Sequence, residues 1–256
     1  MQPRLPPEII DCIIDVLVDK PALLICSSVA RTWVARSRHH LFCSLHLRLT
    51  RSRVLRLKYL IESAHGSGFV AHVNHLHLVY ADSAHLVELW HLLSHFTRLQ
   101  SLSMVPAGQT DAMRLADMPP LIQLPLLTDL RVTKVRFRWY TDLAMVLTRV
   151  GACLRVLHLS GSVESVSKYR RKIKPPKITL PNLECLRIAP SGGLLDWLKW
   201  NGWALRAPRV ELIFGKDDEE AIPSLLWDYF DALGARLTYV VFSFDNERQL
   251  GECEQH

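Results

Sequence analysis

Histidine is the residue type whose crowding first points to chemistry in this chain. Seven of the twelve, His65, His72, His75, His77, His85, His91 and His95, fall within one short stretch. His91 and His95 stand four apart on an expected helix, the spacing at which two imidazoles clamp zinc. No cysteine pair lies near them and no His-Glu-x-x-His occurs, so the two rings lack further ligands and read more simply as a helix edge. No metal and no cofactor is expected. The cluster would instead gain charge at mildly acidic pH, since free imidazole titrates near about 6.5. Catalysis finds no other footing: there is no Gly-x-Ser-x-Gly, no glycine-rich phosphate loop and no Cys/His pair at nucleophile spacing. Gly192-Gly193 reads as a tight turn. The chain is not expected to be an enzyme.

A second group of polar residues gains meaning from its place in a repeated pattern. Apolar-x-x-apolar-x-apolar occurs as FCSLHL, VNHLHL, LQSLSM, LTDLRV, LRVLHL, LECLRI, APRVEL and LTYVVF. From Val73 onward the units begin at 73, 99, 127, 154, 183, 207 and 237. Such spacing matches a strand plus a return crossing, in or near the range of leucine-rich repeats. Strand side chains alternate, so positions one, four and six point inward and positions three and five face out. The third positions are Ser44, His75, Ser101, Asp129, Val156, Cys185, Arg209 and Tyr239; the fifth are His46, His77, Ser103, Arg131, His158, Arg187, Glu211 and Val241. The fifth column runs mostly to histidine and arginine. His77, Arg131, His158, Arg187, Arg209 and Tyr239 are therefore the candidate substrate-binding residues, a row of donors suited to an acidic or phosphorylated segment. The alternative is a solvated polar face with no ligand.

The elements that must position this row alternate with it. RVLRLKYLIESA, SAHLVELWHLLSHF, TDLAMVLTRVG and EAIPSLLWDYFDALG have helical spacing and lie between strands. Strand and helix at near-constant pitch predict a parallel α/β solenoid with helices on its convex side. The ninth repeat position holds Ala81, Ala107, Val135, Ser162, Ser191 or Gly215, never Asn, so the solenoid is expected to be irregular. DWLKWNGWALRAP reads as a tryptophan-rich convex turn that fills the core, or anchors a partner. KYRRKIKPPK, Lys168 to Lys177, reads as a basic projecting loop, either simply solvated, or a nuclear-import signal, or a contact for an acidic partner. KDDEEA, Lys216 to Ala221, reads as a loop and helix start.

The first forty residues are of another kind. Pro6 and Pro7 suit a helix entry. Ile9, Ile13 and Val16 form one apolar row, and Ile10, Ile14 and Leu17 a second beside it. Together they cover about 180–200°, against the roughly 100° stripe of a one-sided helix. Asp19-Lys20-Pro21 ends that helix and starts the next. VARTWVARSRHHLF then places Val29 and Trp33 on one face of a third. Three short helices in about 40 residues are too few to fold alone. Their surplus apolar surface goes either onto the following domain or onto a partner.

Leu5-Pro6, Ile9, Ile13, Leu17, Leu24, Val29-Ala30-Arg31-Thr32-Trp33 and Leu41-Phe42 together resemble an F-box, over residues 5 to 42. The wording is most similar to the expanded F-box sets of mushroom-forming fungi. The resemblance implies a short N-terminal three-helix F-box, 1–42, and an irregular leucine-rich-repeat solenoid, 43–256. It implies docking on a Skp-type adaptor, and through it a cullin, by Leu5, Pro6, Ile9, Ile13, Leu24, Val29 and Trp33. The chain would then be the substrate-recognition subunit of an SCF-type ubiquitin ligase. The alternatives are a ligase-independent scaffold or a shortened family member, and then a basic nuclear nucleic-acid binder.

Composition agrees with a globular protein of this kind: 49% hydrophobic, 22% charged, net charge +6. That charge permits acidic partners without requiring nucleic acid, and interleaved stacking aromatics are lacking. No run approaches a membrane span and no signal peptide opens the chain, so a cytoplasmic or nuclear place is expected. The six scattered cysteines are expected to be reduced and mostly buried.

Overall fold

The computed structural model describes residues 5–63, 67–81, 83–107, 124–137, 140–150, 153–163, 178, 180–189, 191–200, 205, 207–214 and 223–244. The fold is α/β. Among the described residues three N-terminal helices, α1 (Pro7–Asp15), α2 (Lys20–Val29) and α3 (Arg31–Phe42), precede eight strands. The strands are β1 (Ser44–Leu49), β2 (His75–Tyr80), β3 (Ser101–Pro106), β4 (Asp129–Phe137), β5 (Val156–Val163), β6 (Cys185–Ile188), β7 (Arg209–Phe214) and β8 (Tyr239–Phe244). All pair in parallel, in sequence order, as one sheet. Each strand thus meets only its neighbours in the chain, an arrangement compatible with the expected solenoid. The return crossings carry α4 (Arg51–Glu62), α5 (Ser83–Leu93), α6 (Tyr140–Val150), α7 (Gly192–Trp200) and α8 (Pro223–Leu233).

The strand register follows the apolar pattern. The third positions align from Ser44 through His75, Ser101, Asp129, Val156, Cys185 and Arg209 to Tyr239. The fourth and sixth positions, such as Leu76, Leu78, Leu102, Met104, Leu186 and Ile188, are buried with helix residues Leu93, Leu147, Leu195 and Trp197 in one core. A one-residue slip would turn every one of these side chains to solvent, which is why the apolar pattern fixes the register. Only the two ends are less covered: Leu45 and Leu47 of β1 are partly buried, and Phe242 of β8 is exposed.

The second position carries the polar tie between repeats. Its carbonyl accepts both N–H groups of the second and third residues of the next unit. Asn74 and His75 donate to Cys43 O at 2.9 and 2.8 Å, and Thr128 and Asp129 donate to Gln100 O at 2.9 Å each. Pro208 has no N–H, and there Glu184 O receives only Arg209 N–H, at 3.2 Å. At the ninth position, where Asn is missing, the Ser191 hydroxyl donates to Gly161 O at 2.7 Å. The same oxygen accepts Leu194 N–H at 3.3 Å and caps α7.

Several expectations are corrected. Gly192-Gly193 is no tight turn but the first residues of α7, so the tryptophan-rich stretch is in part helical. Trp197 is fully buried there and fills the core. α5 ends at Leu93, which places His95 beyond the helix rather than one turn above His91. The five described cysteines are free, yet none is buried: Cys12 and Cys153 are exposed, and Cys26, Cys43 and Cys185 are half-buried. Cys253, the Lys168–Lys177 basic run and Lys216–Ala221 lie outside the described residues. No described helix is long and apolar enough to cross a membrane.

Candidate functional site

Two surfaces gather the candidate residues. The first is on the N-terminal helices. Pro6 precedes α1, and Asp19 caps α2 by accepting Ala22 N–H at 3.1 Å. α1 ends at Asp15, before the expected break at Asp19-Lys20-Pro21, so Val16 and Leu17 lie past it; of the two apolar rows, Ile14 is buried and Ile10 and Leu17 are half-buried. Ile9, Ile13 and Val16 stay exposed. The division has a polar cause as well. Asp15 meets Arg36 of α3 through two contacts of 2.5 Å and His40 at 2.8 Å, which fixes the roll of α1 against α3. Those hydrogen bonds, Arg36 first, hold the Asp15 carboxyl well below the usual carboxylate range.

α2 adds Leu24, Ile25 and Val29 to the exposed apolar surface. It ends earlier than its composition implies. Ala30 is extended, with φ −151° and ψ 148°, so Val29 closes α2 and Trp33 belongs to α3. The two are therefore not one turn apart on a single helix. The Ser27 and Ser28 hydroxyls donate back to Leu24 O and Ile25 O at 2.7 Å, competing for the last carbonyls of α2. Of the seven residues expected to face a partner, Leu5, Pro6, Ile9, Ile13, Leu24 and Val29 are exposed and Trp33 is half-buried. α3 carries the unit onto the first repeat. His39 stands edge-on to His72 at 6.0 Å, and Phe42 packs beside Phe69 at 5.7 Å.

The second surface is the open side of the sheet. His77, Arg131, His158 and Arg187 lie in consecutive or near-consecutive fifth positions, and Arg209 and Tyr239 in adjacent third positions. All six are brought to one face. They are not, however, a bare row of donors. Arg131 donates to Asp129 of its own strand from Nε (3.2 Å) and Nη2 (2.9 Å). Arg187 and Arg209 converge on one carboxylate: Arg187 Nε is 2.5 Å from Glu211 Oε2, and Arg209 Nη2 is 2.6 Å from Oε1. The Arg187 contact is an ion pair without hydrogen-bond alignment. Glu211 is the one charged side chain classed as buried among the described residues. Arg209 also lies over the Tyr239 ring, 5.2 Å from its centroid.

The counter-ions Asp129 and Glu211 change the chemistry of the face. In the third and fifth columns three arginines and two carboxylates leave a net charge of +1, and Arg48 of β1 adds one exposed cation at the edge of the same face. His158 sits between Arg131 and Arg187 in register. Burial first, then those two cations, push its pKa down and favour the neutral ring. Towards the other end, Ser44, His46, His75, His77, Ser101 and Ser103 carry no fixed charge, and the His46 and His77 rings stand 5.1 Å apart. Such a face can orient a polar, extended chain by directional hydrogen bonds. Among the described residues no group of three or more His, Cys, Asp or Glu could hold a metal ion. Asp129 and Glu211 already stand in the third and fifth columns; their partners were legible there once register was assumed.

No protein-family model matches the chain, and no curated protein matches it either. The likeness of residues 5 to 42 to an F-box therefore rests on those residues alone.

Proposed function

We propose that the chain is a non-catalytic receptor that joins two other proteins. The N-terminal helices dock as an F-box on a Skp-type adaptor of a cullin-RING ubiquitin ligase. The open face of the irregular leucine-rich-repeat sheet holds a protein target. The mechanism is proximity: one surface holds the ligase, the other the target, and the effective concentration of target lysines rises. The observation that carries this reading is the apolar surface of Leu5, Ile9, Ile13, Val16, Leu24, Ile25 and Val29, which the rest of the described chain leaves uncovered. Seven large apolar side chains left exposed in one short unit are more than scattered single residues, and exposed apolar surface beyond such scatter marks an interaction site.

The test is co-expression with a fungal Skp-type adaptor followed by pull-down. A Leu5→Ala/Pro6→Ala/Trp33→Ala variant and an Ile9→Asp/Ile13→Asp variant run beside wild type. A stable complex, lost in both variants, is the expected result. Ile9 and Ile13 are exposed, so the second variant is expected to keep its fold, which circular dichroism checks. Failure of well-folded wild type to bind would reject the ligase reading in favour of a ligase-independent scaffold.

A further inference from the structure

The outer face of α4, the first helix of the repeats, has a composition that neither surface above uses. Val54, Leu57 and Ile61 are buried, which spends the inward stripe of the helix on the core. On the opposite side Leu55 is 53% and Tyr59 is 74% exposed, one turn apart, with Leu60 exposed beside them. Arg51, Arg53, Arg56 and Lys58 surround these side chains, all exposed. From Arg51 to Lys58 there are four cations and no acid, in a chain whose whole net charge is +6. Lys58 alone has a carboxylate nearby, Glu62 at 3.9 Å. Arg51, Arg53 and Arg56 have no carboxylate partner among the described residues. Contrast the other end, where Lys199 of α7 is paired with Asp228 of α8 at 2.8 Å.

We propose that this face is a second docking surface, for an acidic amphipathic protein segment. A tyrosine rimmed by arginines combines the residue types that anchor protein interfaces, and Leu55 one turn away extends its apolar contact. A segment that places carboxylates opposite Arg51, Arg53 and Arg56, and a large apolar side chain on Leu55 and Tyr59, engages those five side chains together. A bilayer fits less well. A helix lying in a membrane surface inserts its apolar stripe, and that of α4 is already in the core. Nucleic acid uses the cations but leaves Leu55, Tyr59 and Leu60 without a role, apart from base stacking on one ring. The helix lies on the side of the sheet opposite the open face, so both can be occupied at once. The inference is independent of the ligase reading.

The test uses the intact chain and a labelled synthetic peptide in which Glu and Asp alternate with Leu and Phe at i, i+4 spacing. Its matched control carries Ser at the apolar positions. Vesicles of phosphatidylcholine with phosphatidylserine and a double-stranded DNA oligonucleotide are the competing probes. The variants are Tyr59→Ala and Arg53→Glu/Arg56→Glu, with Arg236→Glu as an exposed control elsewhere. The expected result is salt-sensitive binding of the acidic-apolar peptide, weakened about tenfold by either α4 variant and by the serine peptide, but not by Arg236→Glu. The proposal is overturned if that peptide does not bind. It is equally overturned if Tyr59→Ala or the serine peptide binds like its parent, or if vesicles or DNA bind the face more tightly. Both variants alter exposed side chains only, and circular dichroism checks that they fold.

Discussion

Replacing Glu211 by Gln changes one charge and almost no volume, and it tests whether the open face is a zwitterionic lattice or a row of free cations. The carboxylate faces Arg187 at 2.5 Å and Arg209 at 2.6 Å. With charge centres about 4 Å apart, each pair would be worth about 4 kcal/mol at an effective dielectric of about 20. That value is an upper bound. Arg187 and Arg209 side chains are 34% and 50% exposed, whereas Glu211 is only 12% exposed. Solvent screening reduces exposed pairs to about 1 kcal/mol or less each, and the desolvation of Glu211 offsets part of that. The expected loss for Glu211→Gln is about 1–2 kcal/mol in all, or about 2–8 °C in Tm for a chain of this size. Urea unfolding measures it, with Arg187→Ala and Arg209→Ala closing double-mutant cycles. Coupling should appear in both cycles and shrink as salt rises. At the same time the variant makes the charge of the face more positive by one, so an acidic peptide that docks there should bind more tightly. A loss under about 0.3 kcal/mol with no coupling in either cycle would refute the shared-carboxylate arrangement, since an interacting pair shows at least about 0.5 kcal/mol. It would restore the row of free donors.

Three further outcomes follow from the same geometry. His158 and His39 have pKa values lowered chiefly by burial, so the unfolded chain takes up their protons first as pH falls through about 6.5. The urea midpoint should therefore drop from about pH 8 to about pH 5.5, and His158→Gln should flatten part of that slope. Asp15 has the opposite window: its depressed pKa gives stability that is present above about pH 4 and lost only below it. Asp15→Asn at neutral pH should speed hydrogen exchange in α1 while leaving the repeat strands protected. Ser191→Ala removes the bond to Gly161 O and the cap of α7 together, at a cost of about 1–2 kcal/mol by thermal unfolding.

What could be read in the sequence divides along physical lines. The register was legible because burial on one side of a strand must recur every second residue, and Leu76, Leu102, Leu130 and Leu157 recur in step. α7 was not legible. Two glycines and three tryptophans argue locally for a turn, yet Leu194, Leu195, Trp197 and Leu198 are buried and Ser191 caps the helix. Tertiary burial of four large side chains outweighs a propensity cost of about 1 kcal/mol per glycine. The break at Ala30 has no glycine or proline to announce it, so Val29 and Trp33 read as one helical face when they are not.

Charge on the open face shows the deeper limit of a column-by-column reading. Arg131, His158 and Arg187 form a basic column when only their own residue types are considered. A strand, however, brings the residue two places along and the residues of both neighbouring strands within reach. Asp129 is the first kind of neighbour to Arg131, and Glu211 is the second kind to Arg187. The carboxylates leave the face less simply attractive: Arg131 is held by two hydrogen bonds to Asp129, and Arg187 and Arg209 share the Glu211 carboxylate. A target recognised there must match that lattice in geometry, because the summed charge is too small to draw an acidic chain by itself. Across the sheet on α4, Arg51, Arg53 and Arg56, which have no carboxylate partner among the described residues, have the reverse character, attraction that charge alone supplies.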